Sequence, residues 1–167
     1  KHVSKIICVD TWEGDWSIKQ TDKFKKQLET LYDTFLVNMW KWKDRVIPVR
    51  MDGRKAMKLL SELGIKPDLI YLDMDHSYAS AKGDLVMLMK YFPDTLILGD
   101  DVLYWKGVAQ AVKEIMAEYK LVNLEINKNC YAIIPKWFSK KFKLKALKMK
   151  SIKPKDQILD QRIAIIA

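Results

Sequence analysis

The sequence predicts an α/β protein built on a doubly wound, mostly parallel sheet, and three features of its 167 residues lead there. Short apolar runs alternate with longer segments of helical periodicity, which is the signature of parallel βαβ units. Acidic residues recur directly after the apolar runs, at what would be the carboxyl ends of the strands. At 49% apolar, a chain of this length can close one sizeable hydrophobic core.

The elements follow in order. KIICV (5–9) reads as a strand, and 21–41 as one helix, with Phe24, Leu28, Leu31, Tyr32, Phe35 and Met39 near helical spacing. RVIPV (45–49) is a strand whose Pro48 suits an edge or a strand end. Asp52 caps a helix that runs to about Leu63, Gly64 stops it, and Pro67 keeps the next segment extended. DLIYL (68–72) is a strand, 78–92 a helix, TLILG (95–99) a strand and 105–119 a helix. Two final strands fall near 120–126 and 129–134, and no internal repeat of fixed period is present. The α/β domain is assigned to 1–135, with 136–167 as a basic tail or linker leading toward another domain.

Composition excludes several classes. The two cysteines, Cys8 and Cys130, both lie in apolar runs, so a disulfide framework or a cysteine metal site is not indicated and the reducing cytoplasm is the expected location. No apolar stretch approaches the roughly 20 residues of a membrane span. The net charge of +9 is concentrated, because residues 136–155 carry nine lysines and no acid, and the remaining 21 basic residues equal the 21 acidic ones. In that tail, lysines interleave with Phe138, Phe142, Leu144 and Met149. Such a pattern suits an anionic membrane surface, nucleic-acid phosphates, a solvated linker, or an edge packed on a neighbouring subunit of a homo-oligomer.

Ligands of open parallel sheets bind outside the carboxyl ends of the strands. Here those ends carry Asp10, Asp52, Asp73 with Asp75, and Asp100 with Asp101. Strand-end aspartates also cap helices, so each alone is ambiguous. Together, so many carboxylates call for something positive or a set of hydroxyls between them. Hard oxygen ligands make Asp73, Asp100 and Asp101 candidates for a divalent cation, Mg2+ or else Mn2+ or Ca2+. Asp10 suits a ribose diol. His76, in the stretch YLDMDHSY (71–78), is a candidate base, since histidine as a residue type suits proton transfer near neutral pH, with Asp75 as its orienting partner or as the base itself.

VDTWEGD (9–15), YLDMDHSY (71–78), LILGDD (96–101) and GVAQAVKEI (107–115) together resemble the class I S-adenosylmethionine-dependent methyltransferases, over roughly residues 5–135. The resemblance is to the branch with D-x-D-H-S-Y and D-D motifs, similar to metal-dependent small-molecule O-methyltransferases such as the catechol, caffeoyl-CoA and macrolide-sugar enzymes. It implies a Rossmann-like sheet, S-adenosylmethionine as cofactor, and a cation held by Asp73, Asp100 and Asp101. It also implies a base at Asp75 or His76, cofactor contacts from Asp10, Met51, Asp52 and Asp73, and transfer of a methyl group to a hydroxyl of a small acceptor such as a sugar or natural product. Trp12, Trp40, Trp42 and Trp105 read first as core or rim packing, with Trp12, beside Asp10, the best candidate among them to touch adenosine. The six glycines contain no G-x-G, so the family's first motif and the strand before it, in the middle of the sheet, are missing from the expected order. The chain is accordingly expected to be N-terminally incomplete or permuted, with RIAIIA (162–167) supplying a buried strand or beginning a second domain. The alternative function is a binding or scaffold module that keeps the fold without catalysis and uses its lysine tail for nucleic acid or membrane.

Overall fold

A computed structural model describes residues 5–14, 22–119, 122–123, 129–135 and 164–166. The lysine-rich stretch 136–155 lies outside the described residues. The elements are β1 (Ile6–Asp10), α1 (Asp22–Glu29), α2 (Leu31–Met39), a 3-10 turn (Trp40–Trp42), β2 (Val46–Arg50), α3 (Gly53–Glu62), β3 (Leu69–Leu72), α4 (Tyr78–Tyr91), β4 (Leu96–Gly99), α5 (Lys106–Glu118), β5 (Val122–Asn123), β6 (Tyr131–Ile134) and β7 (Ala164–Ile166).

The strands form one sheet in the order β2-β1-β7-β3-β4-β6-β5. The first five in that order are mutually parallel, while β6 runs antiparallel to β4 and β5 antiparallel to β6. Parallel neighbours need crossover connections, and helices α3 and α4 supply them between β2, β3 and β4. Of the run 162–167, open in the sequence between a permuted strand and a second domain, residues 164–166 join this sheet. They pair with β1 through Ile6↔Ala164 and with β3 through Leu69↔Ala164, at the central position where the resemblance left a strand missing.

Strands β1, β3 and β4 alternate in burial as period two requires, whereas β6 is buried at all four positions. Ile7, Val9, Ile70, Leu72 and Ile97 point into one core cluster with Met57 and Leu60 of α3, Leu85 and Leu88 of α4, and Val112 and Ile115 of α5. Their neighbours Ile6, Cys8, Leu69, Tyr71, Leu96 and Leu98 are only partly buried. Each fully buried side chain such as Leu85, Leu88 or Ile115 contributes about 1.5–3 kcal/mol relative to exposure.

Local signals act as the sequence suggests. Asp52 caps α3 by accepting from the Lys55 N–H (3.1 Å), and Gly64, at φ 72°, ends it. The Ile65 N–H reaches the Leu60 carbonyl and the Gly64 N–H the Ser61 carbonyl, both at 3.0 Å, which completes a Schellman stop. The expected single helix over 21–41 is instead broken. Thr30 leaves the helical region at ψ 6° and turns its hydroxyl toward the Gln27 carbonyl (3.5 Å), a local competition with the helical ladder open to a β-branched hydroxyl residue. Of the strand expected over 120–126, the described part is Val122–Asn123.

Candidate active site

The parallel strands deliver their following residues to one edge of the sheet. After β3 the chain runs through Asp73, Met74, Asp75 and His76 before Ser77 caps α4 by accepting from the Ser80 N–H (3.3 Å). After β4 come Asp100 and Asp101. Asp101 holds φ 61°, a left-handed conformation that costs a non-glycine residue roughly 1–2 kcal/mol. Such strain persists where surrounding contacts over-determine it.

Those contacts are visible. Asn129 donates from Nδ2 to Asp101 Oδ1 (3.2 Å) and accepts the Leu103 N–H on Oδ1 (3.2 Å), while its carbonyl accepts the Val102 N–H (3.1 Å). With the turn pinned, Asp101 Oδ2 stands 2.7 Å from His76 Nε2, and Asp73 Oδ1 stands 3.6 Å from the same nitrogen. One ligand atom from each of Asp73, His76 and Asp101 lies within 4.8 Å of the others. His76 Nε2 is buried and, despite the short approach of Asp101, has no aligned hydrogen-bond partner among the described residues. The Trp105 ring stacks on the imidazole, 5.0 Å between centroids and 12° from parallel, and so holds its plane.

Electrostatics agree with a site that favours positive charge. The Asp73 carboxyl is pushed above the usual range, first by burial and then by the Asp100 charge, with His76 offsetting part of the effect. Asp75 behaves in the opposite way. Bonds from the Ser80 and Ser77 groups hold its carboxyl below the usual range, with the Ser77 N–H at 3.0 Å from Oδ1.

The sequence-derived candidates are therefore sorted by geometry. Asp73 and Asp101 converge, and His76, expected as a base, joins them as a third inward-facing donor. Asp100 is not in that group: its Oδ2 accepts the Tyr71 hydroxyl (3.0 Å), although it lines the same pocket as Asp73 and His76. Asp75 is occupied at the start of α4, and its depressed pKa makes it a poor proton acceptor. At the end of β1, Asp10 is exposed, and its Oδ1 accepts the Trp12 N–H (2.7 Å). Trp12 itself is only 6% exposed, at φ 54°, and its ring packs against Tyr32 and Phe35 with centroids at 4.9 and 4.8 Å. It braces the turn that carries Asp10, and its burial does not present it to adenosine. Met51 is partly buried and Asp52 serves as the cap of α3.

Three positions were not singled out for the site from the sequence. Tyr71 and Asn129 act through contacts 28 or 29 residues distant in the chain, and no local signal marks them. Gly107 is the third. A Cβ there would lie 2.6 Å from the Tyr78 backbone nitrogen and 3.0 Å from the His76 carbonyl oxygen, so α5 seats directly on the His76 turn. Its place in the G-V-x-x-A-V helix was the available signal.

Against known proteins, a family model described as a methyltransferase domain matches residues 1–102. In fold, the chain is similar to the O-methyltransferase NovP, with a TM-score of 0.52, 15% identity, and coverage of 78% of this chain and 60% of that one. It is also similar to CalS11, a TDP-rhamnose 3'-O-methyltransferase of calicheamicin biosynthesis, with a TM-score of 0.49, 17% identity, and coverage of 78% and 58%. The chain thus spans about three-fifths of the length of those two proteins. A search of curated protein sequences found no match.

Proposed function

The chain belongs to the methyltransferase-domain family, and on that premise we propose that it forms part of an S-adenosylmethionine-dependent O-methyltransferase for a small hydroxylated acceptor, assisted by a divalent cation. The observation that carries the proposal is the convergence of Asp73, His76 and Asp101, with the buried His76 Nε2 2.7 Å from Asp101 Oδ2 and 3.6 Å from Asp73 Oδ1. A nitrogen and two carboxylates aimed at one another repel unless a proton or a cation lies between them. The donor set fits Mn2+ better than Ca2+ or Mg2+, because imidazole is a poor partner for the hardest cations.

Bound S-adenosylmethionine would supply a methyl group already activated by its sulfonium, and a cation at the cluster would lower the pKa of an acceptor hydroxyl. The residues of the chain do the rest by positioning. Asp10, exposed after β1, would take the ribose diol, with Met51 and Asp52 beside it after β2. Asp73 and Asp101 balance positive charge, Trp105 fixes the plane of His76, and Asn129 fixes the strained Asp101 turn.

A second reading keeps the reaction but not the metal. The 2.7 Å approach of Asp101 to His76 also suits a carboxylate that orients an imidazole taking the acceptor proton. Calorimetric titration of Mn2+, then of S-adenosylmethionine, into the 167-residue chain separates the readings. The metal reading expects saturable Mn2+ binding that Asp101→Asn weakens by at least about 100-fold, the upper end of what loss of a group one shell further out costs. Cofactor binding without Mn2+ binding would favour His76 as the base. Binding of neither would leave the scaffold alternative.

A further inference from the structure

We infer that residues 36–45, on the far side of the Trp12 cluster, form a docking face for an anionic lipid surface. Helix α2, LYDTFLVNM, is mostly apolar yet has no buried residue. Tyr32 and Phe35 close on Trp12, which leaves the outer side uncovered among the described residues. Val37 is 73% exposed, Trp40 66%, Trp42 46% and Leu36 36%, all within seven positions. A run of large apolar side chains this exposed marks a contact surface.

The charge around the run selects the partner. Lys41, Lys43 and Arg45 follow the tryptophans, with Asp44 as the one acid in 36–45. Lys43 Nζ sits 4.5 Å from the Trp40 ring centroid and Lys41 Nζ 5.3 Å from that of Trp42, so each cation is held at the edge of the apolar surface. Tryptophans at headgroup depth, aliphatic groups below them and lysines reaching anionic headgroups are the arrangement of an interfacial helix. A second copy fits less well, because a symmetric contact would bring Lys41, Lys43 and Arg45 of both copies together. Single-stranded nucleic acid would use the lysines and the indoles but not Leu36 and Val37, which offer bases no π-face.

Sedimentation of the 167-residue chain with phosphatidylcholine vesicles, with and without phosphatidylserine, tests the inference. Binding is expected only with phosphatidylserine, accompanied by a blue shift of tryptophan emission. Lys41→Ala with Lys43→Ala should weaken partitioning about 30-fold. Trp40→Ser with Trp42→Ser should remove most of the blue shift while the far-ultraviolet circular dichroism stays unchanged. Absence of binding overturns the inference. So does binding that both double variants retain, which would place the contact elsewhere, such as on the lysines of 136–155. A response of the Trp40 and Trp42 emission to poly(U) but not to vesicles would assign the face to nucleic acid, and a dimer lost in the tryptophan variant without vesicle binding would assign it to self-association.

Discussion

Glycine-to-alanine substitution at two helical positions should change stability with opposite sign, and the reason lies in what each new methyl group would touch. In a helix, alanine is favoured over glycine by about 0.5–1 kcal/mol. Gly83, inside α4, would place its Cβ 3.3 Å from Arg54 Nη2, a tight contact that the far end of this 44% exposed side chain relieves by yielding a few tenths of an ångström. Gly107, at the start of α5, would place its Cβ 2.6 Å from Tyr78 N, 3.0 Å from His76 O and 3.1 Å from Tyr78 Cα, all of them backbone or backbone-attached. Ordinary contact needs about 1 Å more, and no rotamer change provides it, so overpacking costs roughly 1–3 kcal/mol. After subtraction of the helix gain, Gly107→Ala should destabilise by about 1–2 kcal/mol, whereas Gly83→Ala should be neutral or stabilise by up to about 1 kcal/mol. Urea unfolding followed by circular dichroism measures both. Because the displaced segment carries His76, Gly107→Ala should also weaken Mn2+ binding, and Gly83→Ala should not. A Gly107→Ala protein as stable as Gly83→Ala would refute the claim that α5 seats on the His76 turn.

Other expectations are briefer. Asp84 is 2% exposed and paired with Arg54, and Arg54→Met should cost about 2–3 kcal/mol, less than a fully buried pair because the Arg54 side chain is 44% exposed. Burial already raises the Asp84 pKa above its unfolded value, so this variant should gain stability as pH falls and Asp84 takes up a proton, which a urea series at several pH values would show. Asn129→Ala should weaken Mn2+ affinity about 10- to 100-fold in a titration, through the Asp101 turn it releases. Glu114, held down to about 2 by Lys82, Gln110 and Tyr78, clips α5 to α4. Its contribution should be full above its ordinary value of 4.5 and vanish as pH falls toward about 2, so the Tm difference between wild type and Glu114→Gln should close over that window.

What the sequence revealed was what local physics decides. Ile7, Val9, Ile70 and Leu72 alternate with less buried neighbours, which period two shows directly, and Asp52 and Gly64 mark the ends of α3 because capping is a matter of a few adjacent residues. The convergence of Asp73 and Asp101 was also legible, since parallel strands must release their carboxyl ends on the same edge. The choice between Asp100 and His76 as the third donor was not. It depends on a tyrosine hydroxyl from the neighbouring strand that takes Asp100 and on a tryptophan ring that holds His76, contacts that no spacing encodes. Trp12 beside Asp10 was open between packing and a ligand contact, and the packing of Tyr32 and Phe35 shows that it is closed in.

The strain at Asp101 offers a way to separate what the turn does for folding from what it does for the site. Asp101→Gly removes a left-handed penalty of roughly 1–2 kcal/mol and relieves the repulsion between Asp101 and Asp73. It also loses the bond from Asn129 and the contact with His76 and adds backbone freedom to the unfolded chain, each worth about 1 kcal/mol. The gains and losses nearly cancel, so Asp101→Gly should unfold within about 1 kcal/mol of wild type, whereas Asp101→Ala keeps the strain without the bond and should lose about 1–2 kcal/mol. Both should lose Mn2+ affinity alike. If Asp101→Gly instead loses several kcal/mol in urea, the carboxylate is holding the fold together and the turn is not strained for the sake of its ligand. If it keeps stability and loses the cation, the backbone cost at this position serves the placement of one oxygen beside His76.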